Sequence, residues 1–227
     1  MSDHAQAMTP DAVVAEIRAE IAALPKRDTP SLRAVRKAWS AKLKGEPAAE
    51  VIAAAQALER MAGQGGKWVG YELIRFHPGA FAAVTEAEVA DFATRIESWY
   101  ATDAFGTILS GPLWAKGRIS DGLIDGWSRH PEMWFRRSAL VATVGLNGTV
   151  KGGDPGRTLP ICLRLAGDRE DMIEKAVSWA LRYLSQKDRA AVVAFMDEHG
   201  DRFAARVRRE VRHKLTTGRK TPLKAAS

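Results

Sequence analysis

The sequence is short of the features that mark many other protein classes. Of its 227 residues only Cys162 is a cysteine, so no disulfide can form within the chain. Cys162 sits in the largely apolar stretch Leu159 to Leu165, which suits a buried structural thiol better than a reactive one. No apolar run approaches the roughly 20 residues needed to cross a bilayer, and the N-terminus joins no basic segment to a long apolar one. The expectation is a chain neither secreted nor membrane-spanning, working in a reducing cytoplasm. Period-two runs rich in Val, Ile, Thr and aromatics are missing, which argues against strands. Also missing are a Gly-rich phosphate loop, His-Glu-x-x-His, Gly-x-Ser-x-Gly and any Cys/His cluster at metal spacing. His4, His77, His130, His199 and His213 are scattered singly, so no cofactor and no metal are expected.

What is present is helical. Apolar residues recur at helix spacing nearly throughout, and Thr9-Pro10, Thr29-Pro30 and Thr85 with Glu88 read as helix starts. Stops are expected at Pro25, Gly45, Gly63, Pro78, Gly117, His130-Pro131, Gly145 and Gly200. The result is about a dozen short helices joined by short turns, with a longer loop from Asn147 to Arg157. Such helices must run back and forth and bury their apolar stripes on the next pair. The fold class expected is all-α, a HEAT-like solenoid of about six antiparallel pairs over residues 1–218, followed by a basic, disordered tail at 219–227. Trp99, Trp134 and Trp179 recur at intervals of 35 and 45 residues, near the roughly 40 to 47 expected for such repeats.

A net charge of +7 and a pI near 9.7 favour an anionic partner. The density is greatest from Asp201 to Lys224, where Arg202, Arg206, Arg208, Arg209, Arg212, Lys214, Arg219, Lys220 and Lys224 face only Asp201 and Glu210. This stretch can neutralise several phosphates or simply form a solvated helix face.

Without a metal or a covalent nucleophile, a hydrolase relies on a carboxylate, a water and the electrostatics of a cleft. Trp99 and Asp103 stand one helical turn apart, so a π surface lies beside a carboxylate. Two readings stand at this point: a floor for a cationic base or sugar, or a core Trp with a capping Asp. Met133 to Leu140 sets Trp134 and Phe135 as packing residues and leaves Arg136 and Arg137 on adjacent directions, one of them toward a cleft. Lys175, Trp179 and Arg182 fall on one helical stripe, unusual for a core and suited to a phosphate backbone beside a deoxyribose.

From about Thr29 to about Leu215, the ordered set Trp99-x-x-x-Asp103, Trp134-x-x-Arg137 with Ser138-Ala139-Leu140, and Lys175-Ala176-x-x-Trp179-x-Leu181-Arg182 resembles the AlkD-like DNA alkylation repair family. These are the HEAT-like alkylpurine DNA glycosylases. The resemblance implies a curved helical array that holds duplex DNA containing alkylated purines. It implies monofunctional hydrolysis of the N-glycosidic bond of N3-alkyladenine or N7-alkylguanine, in base excision repair and without flipping the base. Asp103 then matches the catalytic carboxylate, Trp99 and Trp179 the aromatic walls, and Arg137 the phosphate clamp. Arg182, Lys175, Arg136, Arg33, Arg209 and Arg212 complete the DNA-contacting candidates. Where the family carries an aromatic and apolar segment, this chain reads Ala23-Leu24-Pro25-Lys26-Arg27-Asp28, which alters the N-terminal wall of the cleft. The expected form is a monomer, nucleoid-associated when bound to DNA. The alternative is a non-catalytic HEAT-like module for damaged or branched DNA or for an acidic protein.

Overall fold

The computed structural model describes residues 9–60 and 64–220, so the expected stop at Gly63, His4 and the tail beyond Lys220, with Lys224, lie outside the described residues. Every regular element among the described residues is helical, as the hydrophobic period requires. No helix among them is long and apolar enough to cross a membrane. The chain divides into two compact units, Met1–Arg95 and Ile96–Ser227.

The first unit holds α1 (Pro10–Ala23), α2 (Thr29–Lys42), α3 (Ala48–Glu59), α4 (Gln64–Phe76), α5 (Pro78–Ala83) and α6 (Glu86–Ala93). Helix α1 packs on α3 and α3 on α5, while α2 packs on α4, the contact pattern of stacked helical hairpins. Thr9 caps α1 and Thr85 closes a full capping box with Glu88, as the sequence leads one to expect. At α2 the cap moves one residue back: Asp28, not Thr29, accepts from the Ser31 N–H at 3.0 Å. A carboxylate at that position also meets the positive end of the helix, and its pKa is held below the usual range chiefly by that backbone hydrogen bond. The core is Ile17, Leu32, Trp39, Leu58, Val69, Tyr71, Ile74 and Phe92. Buried within it is Glu59, which accepts from Lys67 Nζ at 2.9 Å, from the Tyr71 hydroxyl at 3.5 Å and from Arg95 Nε.

The second unit holds α7 (Trp99–Ala104), a π-helical turn (Phe105–Ser110), α8 (Gly111–Ala115), α9 (Asp121–Ser128), α10 (Met133–Thr149), α11 (Pro155–Arg164), α12 (Asp171–Leu184), α13 (Arg189–His199), a 3-10 turn (Gly200–Arg202) and α14 (Ala205–Thr217). Packing skips one helix at a time: α9 on α11 on α13, and α10 on α12 on α14. Two layers of stacked helices result. Side chains tie one repeat to another at separations of 32 to 36 residues, as in Arg164 to Ser128, Arg136 to Asp168, Ser178 to Glu210 and Arg206 to Asp171. These spacings are shorter than the roughly 40 to 47 residues expected for HEAT-like repeats.

Helix α10 is the axis of this unit, buried on all sides from Arg137 to Asn147. Gly145, expected to end a helix, lies inside it. A Cβ there would stand 2.3 Å from the Gly106 carbonyl oxygen, and one on Gly111 would stand 2.5 Å from the Ala142 carbonyl. These glycines let α8 and the π-helical turn meet α10 backbone to backbone. The expected loop from Asn147 shrinks accordingly to residues 150–154, because Asn147 itself is a buried tie. Its Nδ2 donates to Thr143 O and Thr158 Oγ1, both at 2.8 Å, and its Oδ1 accepts from Asp154 N at 2.7 Å. Cys162 is fully buried and its thiol is pushed up to about 12 by desolvation, the inert state expected for it. Gly218, at φ 72°, ends α14 in the left-handed region, and Lys214 Nζ donates to its carbonyl at 2.6 Å.

Candidate active site

Asp103 occupies the last turn of α7. Ser98 starts that helix by accepting from Ala101 N at 3.2 Å, and the π-helical turn begins two residues beyond Asp103. Thr107 Oγ1, within that turn, donates to the Asp103 carbonyl at 2.6 Å. Close packing of the turn on α10 fixes the height of Asp103 against the first turns of α10. There Arg137 Nη2 donates to Asp103 Oδ1 at 2.7 Å. The two ends of this pair differ in exposure, 5% for the Arg137 side chain against 27% for that of Asp103. Burial raises the Asp103 pKa above the usual carboxylate value, and Arg137, by charge and by hydrogen bond, opposes that rise.

A cavity of about 440 Å3 opens beside this pair, lined by Asp103, Arg137, Lys175, Trp179, Arg182, Arg206, Glu210 and Lys220. The α10, α12 and α14 layer supplies most of the wall. Five of the residues singled out from the sequence thus meet at one place although they span 79 positions, from Asp103 to Arg182. Lys175, Trp179 and Arg182 lie on one stripe of α12, and the half-buried Trp179 lines the cavity instead of filling the core. Lys175 and Arg206 both pair with Asp171, the first at 2.7 Å. Arg182 is drawn below its ordinary pKa by burial, with Glu210 acting the other way.

The remaining candidates stand elsewhere. Trp99, one turn before Asp103, is 54% exposed and rests edge-on against Tyr100 with centroids 6.1 Å apart, outside the cavity lining. Arg136 turns away from the cavity: its Nε pairs with Asp168 at 2.8 Å and its Nη1 donates to the His130 carbonyl at 3.0 Å and to that of Pro131. It staples the start of α10 to the turn before α12. Of the adjacent pair it is Arg137 that reaches the cleft. Arg137, matched by resemblance to a phosphate clamp, has both Nη groups occupied, by Asp103 and by the Met172 carbonyl. Arg209 and Arg212 are exposed on α14 and line a separate cavity of about 500 Å3 with Arg208 and His213. Arg33 lies in the first unit, exposed on α2, with its guanidinium carbon 5.8 Å from the Trp68 ring centroid.

Glu210, Arg206 and Ser178 join the site without having been singled out as site residues in the sequence. Arg206 shows in the sequence only as one of the basic run from Asp201 to Lys224, and Ser178 and Glu210 are joined by a spacing of 32 residues that no local pattern displays.

A model of the family of DNA alkylation repair enzymes matches residues 27–215. No curated protein matches the chain. Among solved structures, the chain is similar to one described as a predicted DNA alkylation repair enzyme from Enterococcus faecalis. The two share 17% identity at a TM-score of 0.67, over 93% of this chain and 99% of that one. At that identity the likeness establishes the all-helical fold alone. The family match covers most of the chain, and with Asp103, Arg137 and Trp179 gathered at one cleft, the protein belongs to the DNA alkylation repair enzyme family.

Proposed function

We propose that the chain is a monofunctional DNA glycosylase that hydrolyses the N-glycosidic bond of N3-alkyladenine and N7-alkylguanine in duplex DNA, as a step of base excision repair. The observation that carries this reading is Asp103, a partly exposed carboxylate at the edge of an open cavity with Trp179 and several cations around it.

Alkylation at N3 or N7 leaves a positive charge on the purine, so the base departs with little acid assistance. The sugar is then left with cationic character, and a fixed carboxylate stabilises that charge and orients water toward the anomeric carbon. Arg137 fixes the Asp103 carboxylate in direction and favours its ionised form. Trp179 offers a flat apolar wall for the deoxyribose and a π face for positive charge. The cleft is open, in keeping with a reaction on a base that stays within the stack. Arg182 and Lys175 in the cavity, and Arg209, Arg212 and Arg33 outside it, are the contacts proposed for the backbone, with a monomer acting in the cytoplasm. Trp99 is kept as an exposed aromatic surface beside the lesion.

The test is release of free methylated base from alkylated duplex DNA, followed by chromatography. Release above the uncatalysed rate supports the glycosylase. No release together with tight duplex binding would favour a binding module, a reading to which the closed Asp103–Arg137 pair also lends itself.

A further inference from the structure

Two guanidinium groups face the same cavity in opposite states. Arg137 is buried, its Nη groups are held by Asp103 and by the Met172 carbonyl, and its Nε has no partner among the described residues. Arg182 is held from the other end. Its Nε donates to Ser178 Oγ at 3.0 Å, and neither Nη has a hydrogen bond among the described residues. Ser178 is fully buried and passes its own proton on, donating to Glu210 Oε2 at 2.6 Å. Glu210 also lies 3.7 Å from Arg182 Nε, and the side chains of the two are 17% and 12% exposed. A carboxylate, a hydroxyl and a guanidinium thus form a relay between α14 and α12. Its geometry fixes the stem of Arg182 and leaves the planar fork of Nη donors for a ligand in the cavity.

We propose that Glu210 is a positioning residue which, through Ser178, presents Arg182 to one backbone phosphodiester of the duplex, and that Arg182 rather than Arg137 is the guanidinium that takes that phosphate. Arg137 serves the carboxylate; Arg182 serves the phosphate. The remaining cations on the α12 and α14 wall are less suited, because Lys175 and Arg206 share Asp171. The inference rests on the duplex-DNA reading above and adds a division of labour within the cleft.

Charge alone and positioning forecast opposite signs for one substitution. Glu210→Gln keeps an acceptor for the Ser178 hydroxyl and removes a negative charge from a basic cleft. Simple electrostatics then tightens binding to a polyanion. Positioning weakens it, because a neutral amide holds the Ser178 hydroxyl less firmly than a carboxylate does and Arg182 Nε loses the charge 3.7 Å away that helps to align its fork.

The experiment measures affinity for a fluorescein-labelled, undamaged duplex at fixed salt, with melting temperature alongside. Arg182→Ala is expected to bind roughly tenfold or more weakly, the worth of one charge-assisted contact. It should also lower the slope of log affinity against log salt by about one. Glu210→Gln is expected to lose about three- to tenfold in the wild-type background. In the Arg182→Ala background the same change should give no loss, or slightly tighter binding. Ser178→Ala breaks the relay from the middle and should copy Glu210→Gln; it carries the test alone if Glu210→Gln does not fold. Tighter binding by Glu210→Gln in both backgrounds would overturn the proposal. An equal loss in both would do so too, by making Glu210 a structural residue only. A wild-type chain without affinity for the duplex overturns the duplex reading itself, before any variant is compared.

Discussion

Glu59 in the first unit and Asp103 in the second are each a carboxylate held by an arginine, and they differ in how completely they are enclosed. Glu59 is fully buried and surrounded by Lys67, Arg95 and Tyr71. Among the described residues the Asp103 carboxylate is paired with Arg137 alone, and its side chain is still 27% exposed on a cavity. A buried charge persists only when its hydrogen-bonding capacity is met, so the closed set around Glu59 has a structural purpose. An incompletely surrounded carboxylate at an opening has capacity left for a ligand. The same chemical pair is closed off in one unit and open to a cavity in the other, where we propose that it works on a ligand.

The largest effect that would sharpen this contrast is on folding. Glu59→Gln leaves Lys67 without a carboxylate partner inside the first unit, while Arg95 keeps Asp91, and removal of one partner from a buried ion pair costs up to about 3 to 5 kcal/mol. The expected outcome is a marked fall in melting temperature, with base release per folded molecule unchanged. A variant that melts like wild type would show that the network is no more than polar filling.

Asp103→Asn has the complementary signature. The Asn amide oxygen still accepts from Arg137 Nη2, but the buried guanidinium loses its counter-charge, so the melting temperature should fall and release is compared per folded molecule, with duplex binding retained. The charge proposed to stabilise the sugar cation is gone, and release should fall by about two to three orders of magnitude, or about 3 to 4 kcal/mol, the range seen when one preorganised electrostatic group is removed. Turnover near wild type would place the chemistry on another residue.

The acid limb of the pH profile follows from the same carboxylate. Burial raises the pKa of Asp103 from its ordinary value of 3.8, and the ionised form is the one that stabilises positive charge. Activity should therefore be full at neutral pH and decline on acidification sooner than an ordinary aspartate would allow. Spontaneous depurination is subtracted with an enzyme-free control. An activity that stays flat until the fold itself is lost would remove Asp103 from the rate-determining step.

Legibility in the sequence follows the distance between interacting residues. Caps are readable because Thr9 and Thr85 act on atoms three residues away. The stripe of Lys175, Trp179 and Arg182 is readable because the helix alone sets it. Gly145 misleads because its reason is the Gly106 carbonyl on a different segment, which no local pattern shows. The choice between Arg136 and Arg137 depends on Asp168 and Asp103, 32 and 34 residues away. Glu210 stays hidden among the basic residues of α14 for the same reason, since its partner Ser178 lies 32 residues back.

The smallest expected effect concerns arginines that differ only in whether the protein already answers them. Arg136 is fixed by Asp168 and two carbonyls, whereas Arg209 and Arg212 on α14 have exposed side chains without an ionic partner among the described residues. A guanidinium already paired within the protein neutralises no phosphate and so frees no counterion from the DNA, while an unpaired one does. Replacing Arg209 and Arg212 together by Ala should therefore lower the slope of log affinity against log salt by about two, one for each phosphate that is no longer neutralised. Melting temperature should hardly move, because exposed helical positions seldom change stability by more than about 0.5 kcal/mol. Release at saturating DNA should also hold, since neither residue lines the cavity with Asp103. Arg136→Ala should do the reverse, lowering the melting temperature and leaving the salt slope in place. A reduced slope for Arg136→Ala with none for the α14 pair would mean that the duplex tracks the α10 end of the unit, and that the basic face of α14 is only a solvated one.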